Sequence, residues 1–143
     1  MEGIFKILLV GGGTTLSFLF GAWHISLTIL LVFMAIDLVT GVMKGAYQGK
    51  LRSAVGYKGM IRKGGIFVVI ILANLLDVMT GSGMPVFRTM AVFFYIGNEG
   101  LSILENLGQM GVKVPKGIAS KIEQLSKEEE VQNHSKSESN TEQ

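Results

Sequence analysis

From Ile7 to Ile36 the chain runs thirty residues without a single Asp, Glu, Lys or Arg. A helix that crosses a bilayer needs about 20 predominantly apolar residues. Thirty is too many for one crossing and short of two. Extending the tract back to Ile4 and Phe5, with Lys6 snorkelling to the interface, and forward to Met43 gives forty residues. That length holds two spans joined by a tight turn near Gly21, Ala22, Trp23 and His24, where the tryptophan marks an interface. The other arrangement open to these residues is one tilted helix followed by a surface helix.

The stretch LSFLFGA has the look of an apolar signal region ending in small residues. Its n-region, however, carries one Lys balanced by Glu2, and the apolar run continues past the supposed cut. Cleavage is not expected. Composition agrees with a membrane-embedded chain: 143 residues suit one domain, and 48% hydrophobic content with a mean hydropathy of +0.44 is high for a soluble domain of this size. The chain has no cysteine, which excludes disulfides and cysteine-based zinc sites.

Two more apolar blocks follow. Residues 64–83, GGIFVVIILANLLDVMTGSG, are interrupted in charge only by Asp77. Residues 84–104, MPVFRTMAVFFYIGNEGLSIL, contain Arg88 and Glu99. Gly81, Gly83 and Pro85 punctuate a turn between them. The fold expected is all-α and polytopic: four short transmembrane helices in two hairpins, at about 4–22, 25–43, 64–83 and 85–107, within a membrane domain 1–112. Residues 113–143 form a short amphipathic helix, with Ile118, Ile122 and Leu125 on one face, and a polar tail expected to be disordered.

Between the second and third spans lie Lys44, Lys50, Arg52, Lys58, Arg62 and Lys63, with no acid among them. Short basic loops stay in the cytoplasm, so four spans place both termini there too. Lys6, Lys113, Lys116 and Lys121 agree, and the outer loops hold only His24 and Arg88. A phosphate-binding loop is excluded by spacing: three residues, not four, separate Gly45 and Gly49, and Leu51 follows Lys50. Nucleic-acid binding is not expected either, because only Tyr47 and Tyr57 accompany the basic residues. Attraction to anionic head groups accounts for the charge.

It does not account for the glycines. Gly41, Gly45 and Gly49 recur every fourth residue and form one smooth helical stripe, suited to close helix approach within the chain, between copies, or to a helix end. Gly11, Gly12 and Gly13 weaken the first span or let it pack closely. Asp37, Asp77 and Glu99 sit where lipid tails belong and must face protein or water. Asp37 is within reach of Lys44 or Lys63. Arg88 is the natural partner of Asp77, while Glu99 has Asn98 beside it and no obvious cation nearby. No catalytic, metal-ligating or cofactor-binding pattern emerges.

Asp37 with Gly41, the stretch SAVGYKGMIRK, Asp77 and NEGLSILENLGQMGVKVPKGI together resemble the phage-lysis and toxin-secretion holins. The resemblance runs from Asp37 to Ile118. Its specific parts are a Gly-x-x-Gly-x-x-Arg-Lys core (Gly56, Gly59, Arg62 and Lys63, after Ser53) and a Glu-x-x-Ser-Ile-x-x-Asn stretch (Glu99, Ser102, Ile103 and Asn106), with Pro115 beyond it. It implies a multi-pass protein of the host cytoplasmic (inner) membrane that accumulates, oligomerises and opens timed lesions, releasing an endolysin or, in relatives, a toxin. The implied partners are the lipid bilayer, other copies, and an endolysin that need not touch the chain. The competing classes are a small four-helix ion or multidrug transporter, which usually carries its key Glu in the first span, and an accessory subunit of a membrane complex.

Overall fold

The computed structural model describes residues 1–50, 53–81 and 83–139, with side chains over 1–50, 56–81 and 83–127. Arg52 of the basic segment and residues 140–143 of the tail lie outside the described residues. The described chain is helical: α1 (Glu2–Phe20), α2 (Ile25–Tyr47), α3 (Ser53–Thr80), α4 (Val86–Gln109) and α5 (Lys116–Ser139).

Local chemistry sets most of these boundaries. Inside α1, the Thr14 and Thr15 hydroxyls donate to the carbonyls of Val10 and Gly11, so both polar groups are satisfied within their own helix. The helix stops at Gly21, whose φ of 73° suits glycine. His24 opens α2 by accepting from the Ser26 N–H through Nδ1. At its far end Gly49 takes φ 65°, its N–H donates to Ala46 O and the Lys50 N–H donates to Gly45 O. This left-handed closure satisfies the last carbonyls of α2. Gly111 ends α4 in the same way, with Val112 N–H donating to Leu107 O.

The packing centres on α4. Leu27, Leu30 and Met34 of α2, Ile66 and Ile70 of α3, and Val92 and Ile96 of α4 form the core. Their three- and four-residue spacings put one stripe from each helix at a common seam. Phe33 approaches Gly100, and Asp37 and Thr40 reach Asn106, so α2 and α4 run parallel. Lys63 reaches Asp37 and Glu99 while Asp77 reaches the start of α4, so α3 runs antiparallel to both. The opposite side of α4 is covered by α5.

Among the described residues three helices are long and apolar enough to cross a membrane: α1, α2 and the Gly56–Thr80 part of α3. The fourth expected span, α4, falls short of that apolar character because it carries Arg88, Glu99 and Asn106, which are buried among its neighbours. Only one of the two expected hairpins forms. Helices α3 and α4 pack together, whereas α1 makes no packing contact with α2 among the described residues. Instead its last turn docks on α3, where Phe20 meets Phe67 edge-on at 6.1 Å, and the rest of α1 is exposed on every side. The bundle thus presents Ile4, Phe5, Leu8, Val32, Val39, Val68 and Leu72 outward, an apolar surface suited to lipid contact. Beyond Pro115, α5 continues as helix to Ser139, through most of the stretch expected to be disordered.

Candidate functional site

Two polar layers interrupt the apolar bundle. The first lies at the end where the chain turns from α1 to α2 and from α3 to α4. Asp77, near the end of α3, accepts from the backbone N–H groups of Phe87 and Arg88 at 2.8 and 2.9 Å. These are unpaired donors of the first turn of α4, and the carboxylate also meets the positive end of that helix dipole. The Arg88 guanidinium points elsewhere. Its Nη1 donates to the carbonyls of Phe20 and Ala22 at 2.8 and 3.1 Å. Asn74 Nδ2 donates to the Phe18 and Leu19 carbonyls at 2.9 and 3.0 Å. A cation and an amide from other helices therefore close the carbonyl end of α1. The expected Asp77–Arg88 ion pair is replaced by this exchange: the residues meet through a backbone amide because the guanidinium has stronger claims at the α1 terminus.

The second layer joins α2, α3 and α4 on the other side of the apolar core. Lys63 Nζ lies 2.9 Å from Asp37 Oδ2 and also bridges to Glu99 Oε2. Asn106 Nδ2 donates to Asp37 Oδ1 at 3.1 Å and to Thr40 Oγ1 at 3.2 Å, and the Thr40 hydroxyl donates to Ile36 O. Glu99 and Asn106 are buried, and the Asp37 and Lys63 side chains are only 16% and 14% exposed. Glu99 thus has a cation that its local sequence did not reveal: Lys63 comes from α3, through the tertiary fold. It is also Lys63, not Lys44, that meets Asp37.

One ammonium faces two carboxylates here, so the layer carries a formal charge of −1 in a region of low dielectric. Each member is hydrogen-bonded, and among the described residues no buried side-chain nitrogen or oxygen lacks a partner. Such a network fixes the register of three helices at once. It also concentrates carboxylates that would face water if the helices separated.

The remaining residues singled out in the sequence are dispersed. Gly41 lies beneath Asn106, at a distance where an added Cβ makes ordinary contact of 3.7 Å. Gly49 forms the closure of α2, and Gly45 supplies a carbonyl to it. Ser53 opens α3. Gly56, Gly59 and Arg62 do not lie in a loop: they occupy the first turns of α3, upstream of Lys63, with Gly56 and Arg62 exposed and Gly59 half-buried. Ser102 is half-buried on α4. Pro115 precedes α5, its carbonyl accepting from Ile118 and Ala119 N–H.

Sequence reasoning passed over Asn74, although it stands three residues before Asp77 on the same helical face, and it passed over Gly97 and Gly100. An added Cβ at Gly97 would fall 2.6 Å from Ser126 N, and one at Gly100 would fall 2.7 Å from Ile122 Cγ2. Their three-residue spacing on α4 was the available signal. Among the described residues no group of three His, Cys, Asp or Glu is placed to hold a metal ion.

The family model described as "Bacteriophage holin family" matches residues 14–127. The chain is 42% identical over 128 residues to an uncharacterised 14.9 kDa protein of Clostridium perfringens, covering 87% of this chain and 97% of that one. It is 46% identical over 105 residues to the uncharacterised protein YqxH of Bacillus subtilis, covering 73% and 74%. A probable holin of Bacillus phage phi105 is 45% identical over 97 residues, covering 67% and 70%. No solved structure matches. The matched region contains both polar layers and the segment that joins them, and the chain belongs to the bacteriophage holin family.

Proposed function

We propose that this chain accumulates and oligomerises in the host cytoplasmic membrane and opens timed lesions that release an endolysin, with a toxin as the cargo in relatives. The observation that carries the reading is the Asp37–Lys63–Glu99 layer. It is a satisfied polar network inside helices whose outer faces are apolar. Within one copy the network closes on itself. In an assembly of many copies, helices that part at this layer turn carboxylates toward water, where ionised groups are cheap, and away from lipid, where they are costly.

The basic segment supports an orientation with the α2–α3 connection in the cytoplasm. If α4 crosses as well, both termini lie on that side. Reporter fusions after Gly49 and after Leu107 then read cytoplasmic, and one at Gly81 reads outside. An outside signal after Leu107 replaces the four-span arrangement with a three-span one.

Inducible expression in a bacterium, with and without a co-expressed endolysin, tests the function. The expected result is a delay, abrupt loss of membrane potential and arrest of growth, with lysis only when the endolysin is present. Graded efflux of a substrate without loss of viability contradicts the lesion and favours a transporter.

A further inference from the structure

We propose that α5 is a releasable strap: docked as it is on α4, it is incompatible with α4 crossing a bilayer, and its departure lets the bundle seat fully in the membrane. The inference rests on the reading that this chain works within a membrane.

Register carries the argument. Helix α4 runs from Val86 to Gln109, and Gly97 lies near its midpoint. There α5 comes so close that a Cβ at Gly97 would meet the Ser126 backbone nitrogen at 2.6 Å, while Ser126 Oγ stands 3.2 Å from Asn98 Oδ1. One turn further along α4, Gly100 lies against Ile122. Nearer its end, Glu105 and Gly108 share a groove with Ala119 and Glu123. The two helices are therefore antiparallel, and α5 has reached the middle of α4 by Ser126.

If α4 spans the hydrocarbon, Ser126 and Lys127 stand near its centre. Lys121, Glu123 and Lys127 are exposed on α5, and Glu128, Glu129 and Glu130 follow in the sequence. Charges at that depth are strongly disfavoured. The apolar stripe of Ile118, Ile122 and Leu125 is too small to offset them. Helix α4 is not the element that yields, because Glu99 and Asn106 tie it to α2 and α3 on its other side. Docked α5 and a spanning α4 are alternative states, and α5 is the one that moves.

The chain contains no cysteine, so introduced thiols are unambiguous. Asn98→Cys with Ser126→Cys reports docking of α5. Thr40→Cys with Asn106→Cys, across a 3.2 Å contact between α2 and α4, reports the bundle. In vesicles of phosphatidylethanolamine and phosphatidylglycerol, oxidation should link the 98/126 pair at least about tenfold less than the 40/106 pair. Chain locked at 98/126 before reconstitution should also show a much smaller carbonate-resistant fraction, restored by reduction. Equal linking of the two pairs, or a locked chain that inserts as well as its reduced form, overturns the strap. Dye leakage is scored separately: unlocked chain that inserts and never leaks leaves the strap standing and removes the lesion reading, whereas leakage with no effect of the lock removes the strap alone.

Discussion

The two polar layers share α3 and α4 but differ in their third helix, α1 in the turn layer and α2 in the ionic layer, and they are built on different principles. In the turn layer, Asn74, Asp77 and Arg88 direct their side chains to backbone groups at helix ends. Those backbone groups need partners in any membrane-embedded state, so the side chains serve the fold at all times. In the ionic layer, Asp37, Lys63, Glu99 and Asn106 mainly satisfy one another. Nothing in the backbone requires them to stay together. The turn layer is therefore a clasp on helix ends, whereas the ionic layer ties helices to one another through side chains alone.

The largest effect is expected from removing the one cation of the ionic layer. Lys63→Met leaves Asp37 and Glu99 facing each other in the interior, and loss of one partner from a buried ionic network costs about 3–5 kcal/mol. Titration of the detergent-solubilised chain with sodium dodecyl sulfate, followed by circular dichroism, should show that loss. Adding Asp37→Asn and Glu99→Gln to Lys63→Met should recover most of the stability, because no uncompensated charge then remains. If the triple variant is as unstable as Lys63→Met, the layer acts by packing and not by charge.

Asp77→Ala tests the clasp. It strips acceptors from two N–H groups in the first turn of α4, and loss of such a cap costs about 2 kcal/mol at the upper end of measured values. The same titration measures it, with hydrogen exchange at Phe87 and Arg88 locating the damage. Asp77→Asn keeps one acceptor oxygen and should lose less. An Asp77→Asn variant as damaged as Asp77→Ala would mean that charge at the helix terminus, and not hydrogen bonding, sets the effect.

How far these layers could be read beforehand depends on whether their causes are local. Asp37, Asp77 and Glu99 stand out in the sequence because a carboxylate in an apolar tract is conspicuous by itself. Their partners are not local. Lys63 lies 26 residues from Asp37 and 36 from Glu99, and only the antiparallel return of α3 brings it between them. Arg88 misled because proximity across a turn favoured Asp77, whereas the open carbonyls of α1 competed for the guanidinium. The separation of α1 from α2 was hidden for a similar reason: apolarity and length define a span but do not say which neighbour it chooses. Gly97 and Gly100 were inconspicuous because the amphipathic helix beyond Pro115 shows its apolar face in the sequence but not which helix that face meets.

Gly49 closes a helix end that owes nothing to either layer. Its φ of 65° is one that an L-residue resists, so Gly49→Ala should cost about 1 kcal/mol and fray the last turn of α2. Hydrogen exchange at Lys50, whose N–H donates to Gly45 O, reports the fraying. The ionic layer, starting at Asp37, should be unaffected. Faster exchange spreading to Thr40 would show that the closure and the ionic layer unfold as one unit.

The smallest effect is predicted at Gly41, and its sign is informative. A Cβ there meets Asn106 Nδ2 at 3.7 Å, an ordinary contact, while glycine within a helix is about 0.5–1 kcal/mol less favourable than alanine. Gly41→Ala should therefore stabilise the isolated chain slightly. Gly41→Leu adds bulk beside the same amide and should push Asn106 away from Asp37, weakening the ionic layer without changing charge. Comparing both variants at matched protein levels, by crosslinked oligomer yield and by lysis time, separates two roles for this residue. If Gly41 serves only the contact between α2 and α4, alanine leaves both readouts unchanged and leucine shifts lysis time through the layer. If neighbouring copies use the same position, alanine already lowers oligomer yield despite the more stable monomer, because closeness between backbones, and not helix propensity, is then what glycine supplies.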